Sequence, residues 1–497
     1  ISSAASDVYK RQAAVKALNT CYTYLGNMDE QLYCEAMTDN AYTKQPNDAT
    51  QNIGNGSYST ADPYVKKVWD GRYTGIRMCN ELLENIDRVP DLDPELKKRY
   101  IGEAKVLRAY NYYELYTKFG DVPYTTKVLS IKESMSIART AKATVIANVL
   151  ADLDEVINGN YLPTSYDADN KGRITRWAAM AIKAKIYLFE GNWTQVKNIT
   201  STIMTEGGFK LFESYAGLFE IANEYNSEVI LDAQYRPTSR EHQMMYVFLP
   251  PTLGGYSQLS PLQELVDSYI MLDGKTIKET GTSFDESHPY ANRDPRLKAT
   301  VMYTGNSYTL ADGTEVVINC EKGEGKDGYG VGSDCSATGY YIKKYWDNTY
   351  RATLYSGLNP ILIRYADILL MNAEALAELG ELDKTAWDAT IKPIRDRAGF
   401  TLASALEFPE GASKDKLIEI VRNERRSELA LEGHRHKDII RWRIADNVLN
   451  GWCHGLKTND VVGTDDGYVR VENRTFNANR HYLWPIPQAE RDLNGNL

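Results

Sequence analysis

The stretch "ILIRYADILLMNAEALAELG", residues 361–380, decides the fold. Its apolar residues recur at helical spacing: Ile363, Leu370, Ala373 and Ala377 form one row, and Tyr365, Leu369 and Leu376 a second. Arg364, Asp367, Glu374 and Glu378 ride among them, which excludes a membrane span and predicts a scaffold helix braced by ion pairs. Arg364 is expected to reach Asp367 or an acid on a neighbouring repeat. Ala373 stands seven residues before Gly380, and Leu382 follows. The spacing recurs at Ala184, Gly191 and Trp193 in "AKIYLFEGNW", and between Tyr113 and Gly120 in "YNYYELYTKFG". A glycine there closes the first helix in a left-handed cap, and a small residue seven earlier lets the paired helix approach. That is the pattern of tetratricopeptide-like helical hairpins, which bury their faces by stacking on one another.

Working outward, helical periodicity is expected over 13–38, 64–88, 93–118, 143–158, 174–206, 360–398 and 413–447. Between 207 and 358 the texture changes: Pro, Gly, Asn and Tyr become frequent. Short β-like runs appear there, "SEVILDAQY", "KATVMYT", "EVVINC" and "GYYIKKYW". The fold class expected is mainly α, a scaffold of about four hairpin units carrying a long, loop-rich, partly β excursion. Residues 13–206 are expected to form the N-terminal scaffold with a loop at 40–63, 207–358 the excursion, and 359–497 the C-terminal repeats and an extended tail. Residues 1–12, "ISSAASDVYKRQ", resemble a translated cloning adaptor and are set aside as a non-native leader.

The chain has 497 residues, 43% hydrophobic and 25% charged, with a formal net charge of −10. An acidic balance argues against nucleic acid as a partner, because phosphate binding needs a basic surface. Aromatic content leans toward rings with a polar handle: 35 Tyr and 8 Trp against 10 Phe. Such rings suit half-wet binding surfaces.

Catalytic and metal signatures fail on inspection. "GEGKDG" (323–328) matches a dinucleotide fingerprint in letters but neither follows a strand nor opens a helix. "DADNKG" (167–172) begins like a calcium loop, yet Ala178 stands where a bidentate Glu is required. His434 and His436, two apart on a helix, would face different ways and share no metal. Cys320 and Cys335 flank a Gly-rich loop, where a disulfide and two free thiols are equally open. The best enzyme candidate is Glu428 with Glu432, at i and i+4 on one helical face, the separation of a retaining glycosidase pair. Arg425, Arg435 and Asp438 continue that stripe, and neighbouring guanidinium groups keep carboxylates ionised, so an ion-pair lattice is the better reading. No catalytic residue, metal or cofactor is assigned.

Eight blocks then appear in order: "LRAYNYYELYTKFGDVPY" (107–124), "RWAAMAIKAKIYLFEGNW" (176–193), "NRDPRL" (292–297), "TGYYIKKY" (338–345), "ILIRYADILLMNAEALAELG" (361–380), "IRDRAGF" (394–400), "ERRSELALEGHRHKDIIRW" (424–442) and "YLWPIP" (482–487). Together they resemble the SusD/RagB family of outer-membrane nutrient-binding lipoproteins, over residues 13–497. The resemblance implies a non-enzymatic, surface-exposed glycan-binding protein. Such a protein is lipid-anchored in the outer membrane and delivers oligosaccharide or polysaccharide to a SusC-like TonB-dependent transporter. No lipid-acceptor Cys leads this chain, so anchoring is an inference from the resemblance. Peptide capture on the same scaffold is the alternative, with a glycoside hydrolase behind it. Ligand contacts are expected from loops: Asp39, Asn40, Tyr42 and Tyr58 in the first, and Tyr256, Tyr290 and Trp346 in the excursion, chosen for ring chemistry and loop placement.

Overall fold

The computed structural model describes residues 2–46, 50–349 and 352–497. Its scaffold is an array of long helices: α1 (Ser2–Tyr22), α2 (Pro63–Asn85), α3 (Pro94–Phe119), α4 (Lys142–Asn158), α5 (Arg176–Glu190), α6 (Trp193–Glu206), α7 (Tyr365–Glu378) and α8 (Lys414–Glu428). Each packs on the next, giving the stacked pairs α1/α2, α3/α4, α5/α6 and α7/α8. Their ends follow local chemistry. Asp62 and Asp93 accept backbone N–H bonds at the starts of α2 and α3, each followed by a proline whose missing N–H costs nothing there. Gly120, Gly191 and Gly380 all have positive φ, at +74°, +73° and +72°; Gly191 takes the left-handed cap predicted, whereas Gly120, at ψ −119°, closes its helix in a different, glycine-favouring conformation. Among the described residues no helix is long and apolar enough to cross a membrane.

The excursion is stitched into this array by strands. β1 (Ala41–Thr43) pairs antiparallel with β3 (Leu259–Pro261), and β2 (Val229–Asp232) with β4 (Ile361–Arg364). Nearer the C-terminus, β5 (Gly451–Lys457) pairs with β6 (Tyr468–Arg474). One apolar core runs through α1 to α6. A second, around Phe248, Tyr269, Tyr308 and Tyr341, fills the excursion, and a third joins α7 to α8 around Trp387. Tyr112 and Tyr116 are fully buried in the first, so many tyrosines are core.

Three expectations need correction. Residues 361–364 are strand, not the start of a helix: Ile363 packs in the first core while Leu370, Ala373 and Ala377 pack in the third. The long helix expected over 13–38 breaks at Tyr22 and resumes as the short helix Met28–Tyr33, capped by Asn27. The helix over 413–447 ends at Glu428, and after a turn with Leu431 at φ +62° a second helix spans Arg435–Arg441.

That break re-aims Glu428 and Glu432, which converge on Arg364 rather than lying one turn apart. Arg364 reaches Glu228 at 2.8 Å, Glu428 at 2.6 Å and Glu432 at 2.8 Å, and Arg296 and Arg397 also hold Glu428. Asp367 pairs instead with Arg425 and Lys185. Burial raises the pKa of Glu428, but the three guanidinium groups outweigh it and bring it to about 2. A permanently ionised, walled-in carboxylate donates no proton to a leaving group.

Candidate functional site

An open cleft forms where the short helix Met28–Tyr33 meets the excursion. Its outer recess, about 470 Å³, is lined by Tyr246, Tyr256 and Tyr355 with Asp29, Tyr33 and Gln243. A second recess of about 400 Å³ shares Asp29 and Tyr33 and runs inward past Tyr24 and Lys67 to Tyr64 and Arg72.

Local sequence builds the aromatic wall. Tyr246 sits on the short helix Met244–Phe248, and the chain then turns back through "PPTLGGY". Gly254 has φ +86°, and a Cβ on Gly255 would lie 2.0 Å from the Leu249 carbonyl oxygen, so both positions require glycine. The turn lets Tyr256 N–H donate to the Tyr246 carbonyl at 2.7 Å and stacks the rings, with centroids 5.5 Å apart and planes 20° from parallel. Tyr256 remains 46% exposed. Tyr355, also exposed, is brought alongside by the backbone bridge between His242 and Ser356. On the opposite wall Asn27 caps the helix bearing Asp29 and Tyr33, and the Tyr235 hydroxyl accepts from Met28 N–H at 3.2 Å. Burial pushes the Tyr33 hydroxyl up to about 12, so it keeps its proton as a donor. On the floor Arg72 donates to Glu30 at 2.8 Å and to the carbonyls of Tyr24 and Leu25. Stacked rings beside acceptors and donors can cover an apolar face while bonding its polar rim.

Of the residues expected to bind ligand, Tyr256 lines this cleft. The others are scattered and engaged elsewhere. Asp39 is buried and accepts from Arg435 at 2.9 and 3.0 Å, and the guanidinium groups of Arg426 and Arg435 outweigh burial to hold it well below the usual carboxylate range. Asn40 is buried between Glu35 and Arg426. Tyr42, half-buried on β1, accepts from Gln51. Tyr58 is buried against His481. Tyr290 is half-buried, stacked on Tyr303 at 4.1 Å and bonded to the Tyr340 hydroxyl. Trp346 is buried and donates to the Thr309 carbonyl. Of the loop expected over 40–63, residues 47–49 lie outside the described residues, and β1 and the short helix Gln51–Asn55 dock the described flanks into the body.

Tyr33, Tyr246 and Tyr355 went unnoticed in the sequence. The first lay inside an expected helix and the second in the core-like run "MMYVF". The GG-Y turn was the local signal for a ring held at the surface. Among the described residues no cluster of three or more His, Cys, Asp or Glu could hold a metal, and all six cysteines are free thiols, Cys320 and Cys335 included.

Comparison with known proteins gives consistent matches. Residues 218–497 match the model of the SusD family, and residues 7–188 match a SusD-like model described as starch-binding associating with outer membrane. A SusD-like protein of Formosa agariphila is 26% identical over 475 residues, covering 89% of this chain and 84% of that protein. Among solved structures, a SusD-like carbohydrate-binding protein from Bacteroides fragilis superposes with TM-score 0.87 at 28% identity, over 98% of this chain and 99% of that one. A second SusD-like protein from the same organism gives TM-score 0.82 at 28% identity, over 97% and 94%. The stacked helices, the inserted excursion and these matches agree: the chain belongs to the SusD family.

Proposed function

We propose that this protein captures a glycan in the tyrosine-lined cleft at the cell surface. It hands the glycan to a SusC-like TonB-dependent transporter in the outer membrane and performs no chemistry on it. One observation carries the reading: the exposed, preformed stack of Tyr256 on Tyr246 beside Tyr355, facing Asp29 and Gln243. A sugar ring offers an apolar C–H face to such rings and a hydroxyl rim to carboxylates and amides. The Bacteroides fragilis neighbour described as carbohydrate-binding supports the ligand class, and the family description supports the outer membrane as location. A lipid anchor on a preceding cysteine belongs to the same reading.

Covering ~100 Å² of mostly apolar surface per stacked sugar contributes ~2 kcal/mol at ~25 cal/mol per Å². Two or three such contacts, less ordering costs, leave a dissociation constant on the order of 0.1–1 mM. Weak, quickly reversed binding suits delivery. Peptide capture would call for a closed, acid-lined pocket, whereas this cleft is an open aromatic platform.

Affinity electrophoresis on a panel of polysaccharides is the test. At least one should retard the protein, and Tyr256→Ala should weaken that binding by up to about thirtyfold, the equivalent of one ~2 kcal/mol stacking contact, without altering thermal stability. Binding of a peptide mixture, with no polysaccharide retarding the protein, would replace this reading with the peptide one.

A further inference from the structure

Behind Tyr64 and Arg72 lies a small chamber of about 100 Å³, which shares Gly26, Asn27 and Glu30 with the cleft as well. α3 and the short helix Arg435–Arg441 meet on its far wall. There Glu114 accepts from Lys118 Nζ at 2.6 Å and from Lys437 Nζ at 3.2 Å.

The charge balance at this point differs from that around Arg364. There Arg296, Arg364, Arg395, Arg397 and Lys344 are matched by Glu228, Asp294, Glu424, Glu428 and Glu432. Alongside, Lys185, Arg425 and Arg441 are matched by Asp367, Glu374 and Asp438. In the chamber two ammonium groups share one carboxylate, and neither has another ion-pair partner among the described residues. Arg72 does not redress this, being matched to Glu30. The rings of Trp484 and Tyr113, 5.9 Å from Lys118 Nζ and 5.2 Å from Lys437 Nζ, soften the surplus without neutralising it. Burial, with Lys118 adding to it, brings the Lys437 pKa down to about 7 despite Glu114, so near neutral pH this lysine sheds its proton in part, and an anion bound beside it would favour the charged form.

We propose that this chamber binds a small oxyanion, gripped by Lys118 and Lys437 and hydrogen-bonded by the imidazoles of His434 and His436. Both histidines line the cavity, because the break after Glu428 leaves His434 outside the helix and turns it to the same side as His436. Their pKa values are pushed down to about 3, by burial first and then by Lys185 for His434 and by Lys118 and Lys437 for His436, so each is an uncharged donor. The volume holds one tetrahedral oxyanion with a few waters. Gly26 and Asn27 border both spaces, so the anion enters from the cleft. The site lies behind the glycan platform and stands whether or not that platform binds sugar.

Isothermal titration of the full chain with inorganic phosphate at pH 6.0, below the Lys437 value of about 7, with ionic strength held constant by sodium chloride, tests this. Saturable one-site binding is expected. Lys437→Met should weaken it about tenfold, the equivalent of one charge-assisted bond, with an unchanged circular dichroism spectrum. Tyr256→Ala should leave phosphate affinity unchanged. Heats no larger than those of chloride overturn the proposal, as does wild-type affinity in Lys437→Met. Should that variant fail to fold, Lys118→Met is read in the same way, and the wild-type titration alone remains decisive.

Discussion

Arg364 shows how a single side chain ties distant parts of this molecule together. It is 1% exposed, and its guanidinium joins Glu228 of the excursion to Glu428 and Glu432 at the end of the scaffold. Its charge was legible in the sequence, but its partners were not. Asp367 is near in sequence, yet the strand conformation at 361–364 points the two side chains to different carboxylate and cation networks. His454 is a second residue whose role appears only in three dimensions. Its Nε2 lies 2.8 Å from Asp465 and its Nδ1 3.5 Å from Glu264, and hydrogen bonds first to Glu264 and then to Asp465 raise its pKa to about 9. The folded value exceeds the unfolded value of about 6.5, so this stabilisation is complete below that pH and is lost as pH rises through about 9. The urea midpoint should therefore fall more steeply between pH 6.5 and 9 in the wild type than in His454→Gln. Parallel slopes would show that the ring carries no linked proton.

At the scale of elements, the capping glycines test the repeat. Gly380 closes α7 at φ +72°, and a Cβ built there meets nothing within 4 Å. Gly380→Ala therefore adds backbone strain and no clash, and should destabilise by about 1 kcal/mol. Gly380→Asn should cost less, because Asn tolerates the left-handed region. An alanine variant as stable as wild type in urea denaturation would refute the cap. Helices α2, α5 and α6 were legible because each is amphipathic and capped by a side chain at its start; α4 is amphipathic without such a cap, and α3 is capped by Asp93 but buried on most faces. The strand Ile361–Arg364 was misread because a short apolar run abutting a helix has no period of its own. Only its pairing with Val229–Asp232, more than a hundred residues away, makes it a strand.

At the scale of the whole molecule, the excursion is distinct in texture but not independent in structure. β2 and β3 pair with strands outside it, and its core includes Met28, Leu32, Leu431 and Leu456 from the flanking segments. An isolated 207–358 fragment should show no cooperative thermal unfolding, and a sharp transition in that fragment would contradict this dependence. The cleft has the same non-local origin: Tyr33, Tyr256 and Tyr355 come from segments about a hundred or more residues apart. By itself the sequence determined the stacked-hairpin scaffold, its glycine caps and the family, since these depend on residues within a turn or two or on ordered local blocks. Tertiary structure alone decided which tyrosines are core and which face the cleft, and which charges meet, because burial and pairing depend on neighbours that chain order does not specify.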